Sequence, residues 1–363
     1  PAIMANAIAT LRVLEKEGGI TLADKADFVA GHSLGEYTAL CAAGGFDLAT
    51  TARLLKRRGQ AMQAAVPVGE GAMAVFLGLD FDPATEICEE AAEGEVCVVA
   101  NDNAPGQIVI SGHTGAVDRA CALGKDRGAR RAMPLAVSAP FHCPLMTPAA
   151  DAMEEALTGV EIHPLSAMLY ANVTAMPVGE HEAIRGLLVE QVTAMVRWRE
   201  SIAEMASEGV SEFIEFGGKV VAPMVKRIAP DAAQRSIVKM DDIGLWLAQN
   251  GLTGISRGLG RGMVKGMPKF LKALTIIGTA AMLWVGGSII VHGLDVLGWP
   301  WLYKTIHDIA VAAAGGSGFL EWAVTALLDG ILGFVVGMAL IPFVTRILAP
   351  LSSSISGGTP SSH

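Results

Sequence analysis

The stretch FVAGHSLGEYTAL, Phe28 to Leu40, sets a serine between two glycines where a short apolar run meets an amphipathic one. Gly31-x-Ser33-x-Gly35 between a predicted strand and a predicted helix has the pattern of a nucleophile elbow. Such a turn pushes the hydroxyl out at the carboxyl edge of a sheet, and the helix behind it offers free N–H groups to a developing oxyanion. Glycines are expected on both sides of the serine, where neighbouring backbone comes too close for side chains. The hydroxyl also needs a base. Of the eight histidines, His292, His307 and His363 lie in the apolar second half or the tail, and His32 adjoins the serine and should point away. His113, His163 and His181 sit in polar, turn-like segments and read as surface residues. His142, in SAPFHCPLM, lies where the chain returns to the main sheet, which suits an active-site rim; Cys143 beside it offers a second reading as a reactive thiol. Arg57 and Arg58, late in a predicted helix, read on their own as surface charge favourable to the helix dipole.

The elements that must hold these residues follow from periodicity. Met4, Ile8, Leu11 and Leu14 recur at helical spacing until Gly18-Gly19. Phe28-Val29-Ala30 suits a buried parallel strand. Tyr37 to Ala43 reads as a helix closed by Gly44-Gly45, and Asp47 as the cap of a helix from Leu48 to Met62. Residues 69–137 follow the order β-α-β-β-α-β, that of a ferredoxin-like unit inserted in a larger domain. AMLYANV, AIRGLLVEQVTAMV and SEFIEF then alternate strand and helix up to about Ser236. The predicted class is α/β: a parallel-sheet core with an inserted ferredoxin-like subdomain, followed by an α-helical membrane segment with two spans.

Composition separates the two halves. A chain of 363 residues is long enough for two domains with sizeable cores, and a net charge of −9 argues against nucleic-acid binding. The first 250 residues carry 20 basic and 32 acidic side chains, the remainder 7 and 4. The mean hydropathy of +0.44 comes largely from the back half. All five cysteines lie in front without a C-x-x-C pair, which fits reduced cytosolic thiols. The chain opens at Pro1, directly in a helical pattern and with no signal peptide, and reads as cut into.

Residues 273–291 carry no charge, about the ~20 residues a spanning helix needs. A second apolar stretch is interrupted only by Asp329. Arg257, Arg261, Lys265, Lys269 and Lys272 precede the first stretch, and Asp295, Lys304, Asp308 and Glu321 lie in the connecting loop. The positive-inside rule puts both flanks in the cytoplasm and the loop outside. The expected organisation is a catalytic domain over 1–240 and a membrane region over 241–351, with spans near 271–292 and 322–345, ending in a disordered tail over 352–363. Two buried helices of a soluble core are the alternative. Asp329 would mark an ion or proton path, or face the helix-pair interior beside a polar partner.

GHSLGEYTAL, RRGQAMQ, GAMAVFLGL, NDNAPGQIVISG, SAPFHCPLM and VRWRESI, in this order and spacing, resemble the bacterial malonyl-CoA:acyl carrier protein transacylases. The resemblance covers about Pro1 to Asp242. It implies ping-pong transfer of malonyl from coenzyme A to a serine, then to the phosphopantetheine thiol of acyl carrier protein, in fatty acid biosynthesis. No metal is implied, and no cofactor beyond the coenzyme A thioester substrate. Carried over, Ser33 is the nucleophile and His142 its base, with the backbone carbonyl of Gln191 orienting the imidazole. Arg58 pairs with the malonyl carboxylate, as a guanidinium grips a carboxylate bidentately. The Leu34 N–H is an oxyanion donor, Asn103 lines the pocket, and the Phe141 ring crowds an α-methyl branch.

Three features depart from that pattern. The family's opening strand and G-Q-G-S loop have no counterpart here, and EFGGKVV is shorter than the commoner form and lacks its proline. From KMDDIGLWLAQ to Leu351 the sequence is similar instead to the C-terminal part of a bacterial inner-membrane family of unknown function. A join between Ser236 and Leu245, as in a chimera or mis-joined reading frame, is expected. The rival readings are a serine hydrolase with the same elbow, in whose neutral-ester pocket Arg58 has no place, and a membrane protein or fusion whose acyltransferase segment is inert.

Overall fold

α1 (Ala2–Gly18) buries the expected stripe of Met4, Ile8, Leu11 and Leu14. It stops at Gly19, whose φ of 67° suits a residue without a Cβ. The structure is a computed structural model in which residues 1–238, 240–250 and 254–343 are described. It divides into two compact units, Pro1–Val264 and Lys265–His363.

In the first unit β1 (Phe28–Ala30) runs into α2 (Leu34–Ala42), and α3 (Leu48–Ala64) follows. Asp47 caps α3 by accepting the Thr50 N–H at 2.6 Å. β2 (Gly71–Leu77), α4 (Phe81–Ala92), β3 (Cys97–Ala104), β4 (Gln107–His113), α5 (Thr114–Asp126) and β5 (Arg131–Pro134) then form the expected ferredoxin-like unit. Its sheet is antiparallel throughout, in the order β3-β4-β2-β5. Phe76, Ile87, Ile108, Ile110 and Val117 give it a core of its own.

The chain returns through a short turn at Pro144–Met146 to α6 (Thr147–Leu157) and β6 (Met168–Tyr170). β6 lies parallel to β1, with Phe28 opposite Met168 and Ala30 opposite Tyr170. β7 (Pro177–Val178) adds an antiparallel edge. After α7 (His181–Glu190) and α8 (Trp198–Ser207), β8 (Glu212–Phe216) pairs in parallel with β9 (Ala233–Ile237) across α9 (Ala222–Ile228). The parallel pairs thus belong to two separate small sheets rather than one continuous sheet. The helix predicted over AIRGLLVEQVTAMV ends at Glu190, so Gln191 becomes its cap and turns into the core. At the shortened EFGGKVV, the Glu215 carboxylate accepts the N–H groups of Val220, Val221 and Ala222, filling the orphan donors at the start of α9. The main core joins Tyr37, Leu40, Phe46, Leu54, Met153, Leu169 and Leu188.

The first unit continues past residue 240. α10 (Met240–Asn250) sets Ile243 against Leu14 and Ile237. α11 (Gly254–Val296), α12 (Trp301–Ala314) and α13 (Gly318–Phe343) follow. The connection expected as a loop is therefore largely helical: Ile306, Ala310 and Ala314, four residues apart, form one buried stripe on α12. Lys272–Val296 and Gly318–Met338 are long and apolar enough to cross a membrane, and nearly all of both stretches is left unburied. Ile276, Ile277, Met282, Leu327 and Ile331 face outward, the reverse of a soluble helix pair. Within this second unit α11 and α13 touch backbone to backbone. A Cβ on Gly287 would lie 1.8 Å from the Asp329 carbonyl oxygen, and one on Gly333 2.2 Å from that of Leu283. Asp329 is buried at this crossing and hydrogen-bonds Ser288, the second of its two expected settings. Thr345, the expected end of the second span, and the tail over 352–363 lie outside the described residues.

All five cysteines are free and buried. Cys88, Cys97 and Cys121 belong to the ferredoxin-like core and Cys41 to the main one.

Candidate active site

Ser33 sits at the end of the β1 connection with φ 53° and ψ −107°, a backbone state that costs a non-glycine residue energy. The elbow closes because Gly31 has no side chain: a Cβ there would fall 1.9 Å from the Gly35 carbonyl carbon and 2.6 Å from the Glu36 nitrogen. The same expectation fails at Gly35, where an added Cβ meets nothing within 4 Å, because that position points out of the first turn of α2. His142, in the segment after β5, is also left-handed, with φ 57°. Two of the four non-glycine residues with positive φ among those described are therefore Ser33 and His142, and they face each other.

Ser33 Oγ lies 2.7 Å from His142 Nε2, although 109 positions separate them. His142 Nδ1 lies 2.8 Å from the Gln191 carbonyl oxygen. A carbonyl only accepts, so Nδ1 carries the hydrogen and Nε2 is free to take the serine proton. Arg58 reaches in from α3 and donates through Nη2 to Ser33 Oγ at 2.9 Å and to Gln191 Oε1 at 3.0 Å. It is 6% exposed, and its guanidinium carbon lies 5.9 Å from the centroid of the Tyr37 ring. Arg57 beside it is exposed, 3.7 Å from Glu155, so the surface-charge reading holds for Arg57 and fails for Arg58.

The electrostatics follow from burial. Desolvation, and then the Arg58 charge, hold the His142 imidazole down to about 3, so it is neutral at ordinary pH. Burial also lowers His32 and Arg58. Glu36 is pushed up to about 7 by burial, against the pull of its Gln191 and Asn172 hydrogen bonds and of Arg58. Tyr37 is raised by the same desolvation.

The remaining expected residues fall around this centre. Leu34 opens α2, where backbone N–H groups have no intrahelical acceptor. Asn103 is buried and reaches His32 rather than Ser33, with Oδ1 2.7 Å from the ring Nε2. His32 is thus turned from the serine towards Asn103 and Trp198. Phe141 is half-buried between the main core and a small cluster of Met73, Ala100 and Val109. The Cys143 thiol donates to the Pro140 carbonyl and is raised by burial, against a reactive thiolate. His163 is half exposed and His181 exposed, as expected. His113 is half-buried rather than fully exposed: at the end of β4 its Nδ1 accepts the Val96 N–H at 2.9 Å.

Two residues of this network carried no sequence signal as site residues. Asn172, just after β6, accepts the Ser33 N–H at 2.7 Å and donates to the Gly31 carbonyl. Glu36 is 1% exposed and accepts the Asn172 N–H at 3.0 Å and the Gln191 side-chain amide at 2.8 Å. An acidic residue in a first helical turn ordinarily passes for a dipole-favourable surface charge.

Comparison with known proteins yields two families. Residues 1–232 match the family described as acyl transferase domain, and residues 232–343 match one described as protein of unknown function (DUF808). Over 229 residues the chain is 45% identical to the malonyl CoA-acyl carrier protein transacylase of Escherichia coli K12, covering 63% of this chain and 73% of that protein. The Bacillus subtilis protein of that name is 44% identical over 230 residues, or 63% of this chain and 71% of the relative. Among solved structures, the acyl-carrier-protein S-malonyltransferase of Bartonella henselae superposes with a TM-score of 0.67 at 49% identity, covering 69% of this chain and 80% of that one. A malonyl-transacylase in complex with its type II polyketide acyl carrier protein superposes at 0.64 and 40% identity, over 67% and 78%.

Proposed function

Because the chain belongs over residues 1–232 to the acyl transferase family, we propose that it moves malonyl from coenzyme A to acyl carrier protein through an ester on Ser33. In the first half-reaction His142 Nε2 takes the Ser33 proton as Oγ attacks the thioester carbonyl. The tetrahedral oxyanion forms at the amino end of α2, against the Leu34 N–H. Its collapse breaks the carbon–sulfur bond, and the imidazolium returns the proton to the coenzyme A thiolate. In the second half the phosphopantetheine thiol of the carrier protein gives its proton to His142 and attacks the serine ester. Ser33 then leaves and recovers that proton. The Gln191 carbonyl holds the tautomer throughout, though a neutral acceptor steadies an imidazolium less than a carboxylate would.

The observation that carries this reading is the buried Arg58 guanidinium hydrogen-bonded to the nucleophile. A fixed cation beside the attacking hydroxyl suits an acyl group with a free carboxylate and has no use in a neutral-ester hydrolase. Seating that carboxylate on Arg58 also cancels one of the three influences that depress His142, so the imidazole becomes a stronger base once the substrate is bound. Phe141, next to His142, narrows the site against α-branched acyl groups, and Asn103, bonded to His32 beside the elbow, lines the pocket. The two apolar helices support a tether holding this domain at a membrane.

Intact-mass analysis after mixing with malonyl-CoA tests the reading. A malonyl adduct is expected on the parent and not on Ser33→Ala, with Arg58→Ala reducing the loading rate about 10²-fold, as for loss of a charge-assisted pair. Rapid hydrolysis of neutral esters by a parent that takes up no malonyl would select the hydrolase instead.

A further inference from the structure

Glu36 has no part in the proton transfers above, yet its carboxyl group is buried beside the site, 1% exposed. One of its oxygens, Oε2, accepts two hydrogen bonds, from the Asn172 N–H at 3.0 Å and from Gln191 Nε2 at 2.8 Å. The other, Oε1, is buried without a partner. Gln191 is the junction of the site. Its carbonyl orients His142, its Oε1 accepts from Arg58, and its Nε2 also donates to the Ser33 carbonyl at 3.1 Å. An amide has a fixed sense: the group that accepts from Nε2 decides that Oε1 is presented to the guanidinium. Three acceptors stand opposite Nε2: the Ser33 carbonyl at 3.1 Å, Asn172 Oδ1 at 3.4 Å and Glu36 Oε2 at 2.8 Å. Glu36 makes the shortest of the three bonds and is the only one of them that can carry a charge. Asn172, the second group on the carboxylate, holds both the Ser33 N–H and the Gly31 carbonyl.

From this geometry we propose that Glu36 is a positioning residue of the site, which sets the Gln191 amide and through it the aim of Arg58 and His142. The inference deepens the malonyl-transfer reading and rests on it for the substrate. Glu36 touches neither the reacting atoms nor, in this geometry, the acyl group.

A second consequence is electrostatic. The titratable groups that act on the carboxyl are Arg58 from α3 and Tyr37 beside it on α2. Of these only Arg58 carries a charge at neutral pH. A neutral Glu36 leaves the guanidinium charge whole for an incoming carboxylate, whereas an ionised one cancels part of it. Because burial pushes Glu36 up to about 7, that balance changes across neutrality. The grip on a carboxylate substrate therefore weakens as the pH rises through 7, while the hydrogen bonds to Gln191 and Asn172 persist.

The test uses the full chain in detergent and two serine reagents: malonyl-CoA, and a fluorophosphonate that carries no carboxylate. Glu36→Ala, corrected for the folded fraction, is expected to label about tenfold more slowly with the fluorophosphonate, through the misaimed imidazole. Its KM for malonyl-CoA should rise about tenfold at every pH. Glu36→Gln keeps an accepting oxygen without the charge. It is expected to rescue the labelling and to abolish the rise in malonyl-CoA KM that the parent shows between pH 6 and 8. Gln191→Leu, which keeps the backbone carbonyl, should reproduce the alanine phenotype. Folded Glu36→Ala that labels at the parent rate, or Glu36→Gln falling as far as the alanine variant, overturns the proposal. If Glu36→Ala does not fold, the pH profile of Glu36→Gln decides, and a profile identical to the parent's overturns it. A parent that labels with the fluorophosphonate but never takes up malonyl refutes the functional reading, and Glu36 is then judged on labelling alone.

Discussion

At the scale of the residue, the site places two buried titratable groups whose effects on stability run in opposite directions. His142 is held from 6.5 down to about 3 in the folded chain. The unfolded chain therefore takes up a proton first on acidification, and the stability His142 contributes above pH 6.5 is lost as the pH falls towards 3. Glu36 is raised from 4.5 to about 7, so the folded chain holds its proton longer and stability is lost as the pH rises through that interval. Each slope approaches about 1.4 kcal/mol per pH unit where it acts alone. Urea unfolding of the full chain in detergent between pH 4 and 8 measures both. Relative to the parent, Glu36→Gln should gain stability as the pH rises, and His142→Gln should gain as it falls. Curves parallel to the parent's for both variants would mean that neither group is enclosed as described. Ser33 was legible from its flanking glycines. His142 stood out by its place in the chain, and Arg58 took on a role only through resemblance. Glu36 and Asn172 were not legible, because their functions arise from contacts across 155 and 139 positions and no local pattern marks them.

At the scale of the element, the elbow is asymmetric although its sequence is not. Both glycines flank the serine at the same spacing, but only Gly31 is forced by the approach of the backbone. Gly31→Ala is expected to cost several kcal/mol, since the obstacle is the Gly35 and Glu36 main chain rather than a movable side chain. Gly35→Ala lies in a helix with open space around it and should stabilise the chain by up to about 1 kcal/mol, the ordinary gain of alanine over glycine there. Thermal melts of the pair, with no reference to activity, distinguish the two positions; equal losses would contradict the geometry. The ferredoxin-like insert could be read from sequence because alternation and helical period switch cleanly within it. The helix of residues 301–314 was missed because its charged residues, Lys304 and Asp308, resemble a loop until Ile306, Ala310 and Ala314 are seen to share a face. Gln191 ended its helix early for a reason no propensity contains: its amide is needed inside the site.

At the scale of the whole molecule, an acidic front with a largely buried polar site precedes helices with outward-facing apolar side chains. Recovery of the full chain with membranes after carbonate washing is expected, and its release into the soluble fraction would exclude the spans. Within the helical unit, Gly287 admits no Cβ opposite the Asp329 carbonyl. Gly287→Leu should therefore separate α11 from α13 and expose Asp329, seen as faster proteolysis of the membrane-bound chain; unchanged resistance would mean the helices do not cross there. The front domain was recognisable because six motifs in series constrain one fold. The back was recognisable only as apolar length, which specifies a solvent and not a partner.

The sealed thiols give the molecule an internal gauge of opening. Cys88, Cys97 and Cys121 become reachable only when the ferredoxin-like layer separates, and Cys41 only when the main core does. A small alkylating reagent, read by peptide mass over time, would thus timestamp each half of the catalytic domain independently. It would reveal whether the two layers breathe together or apart.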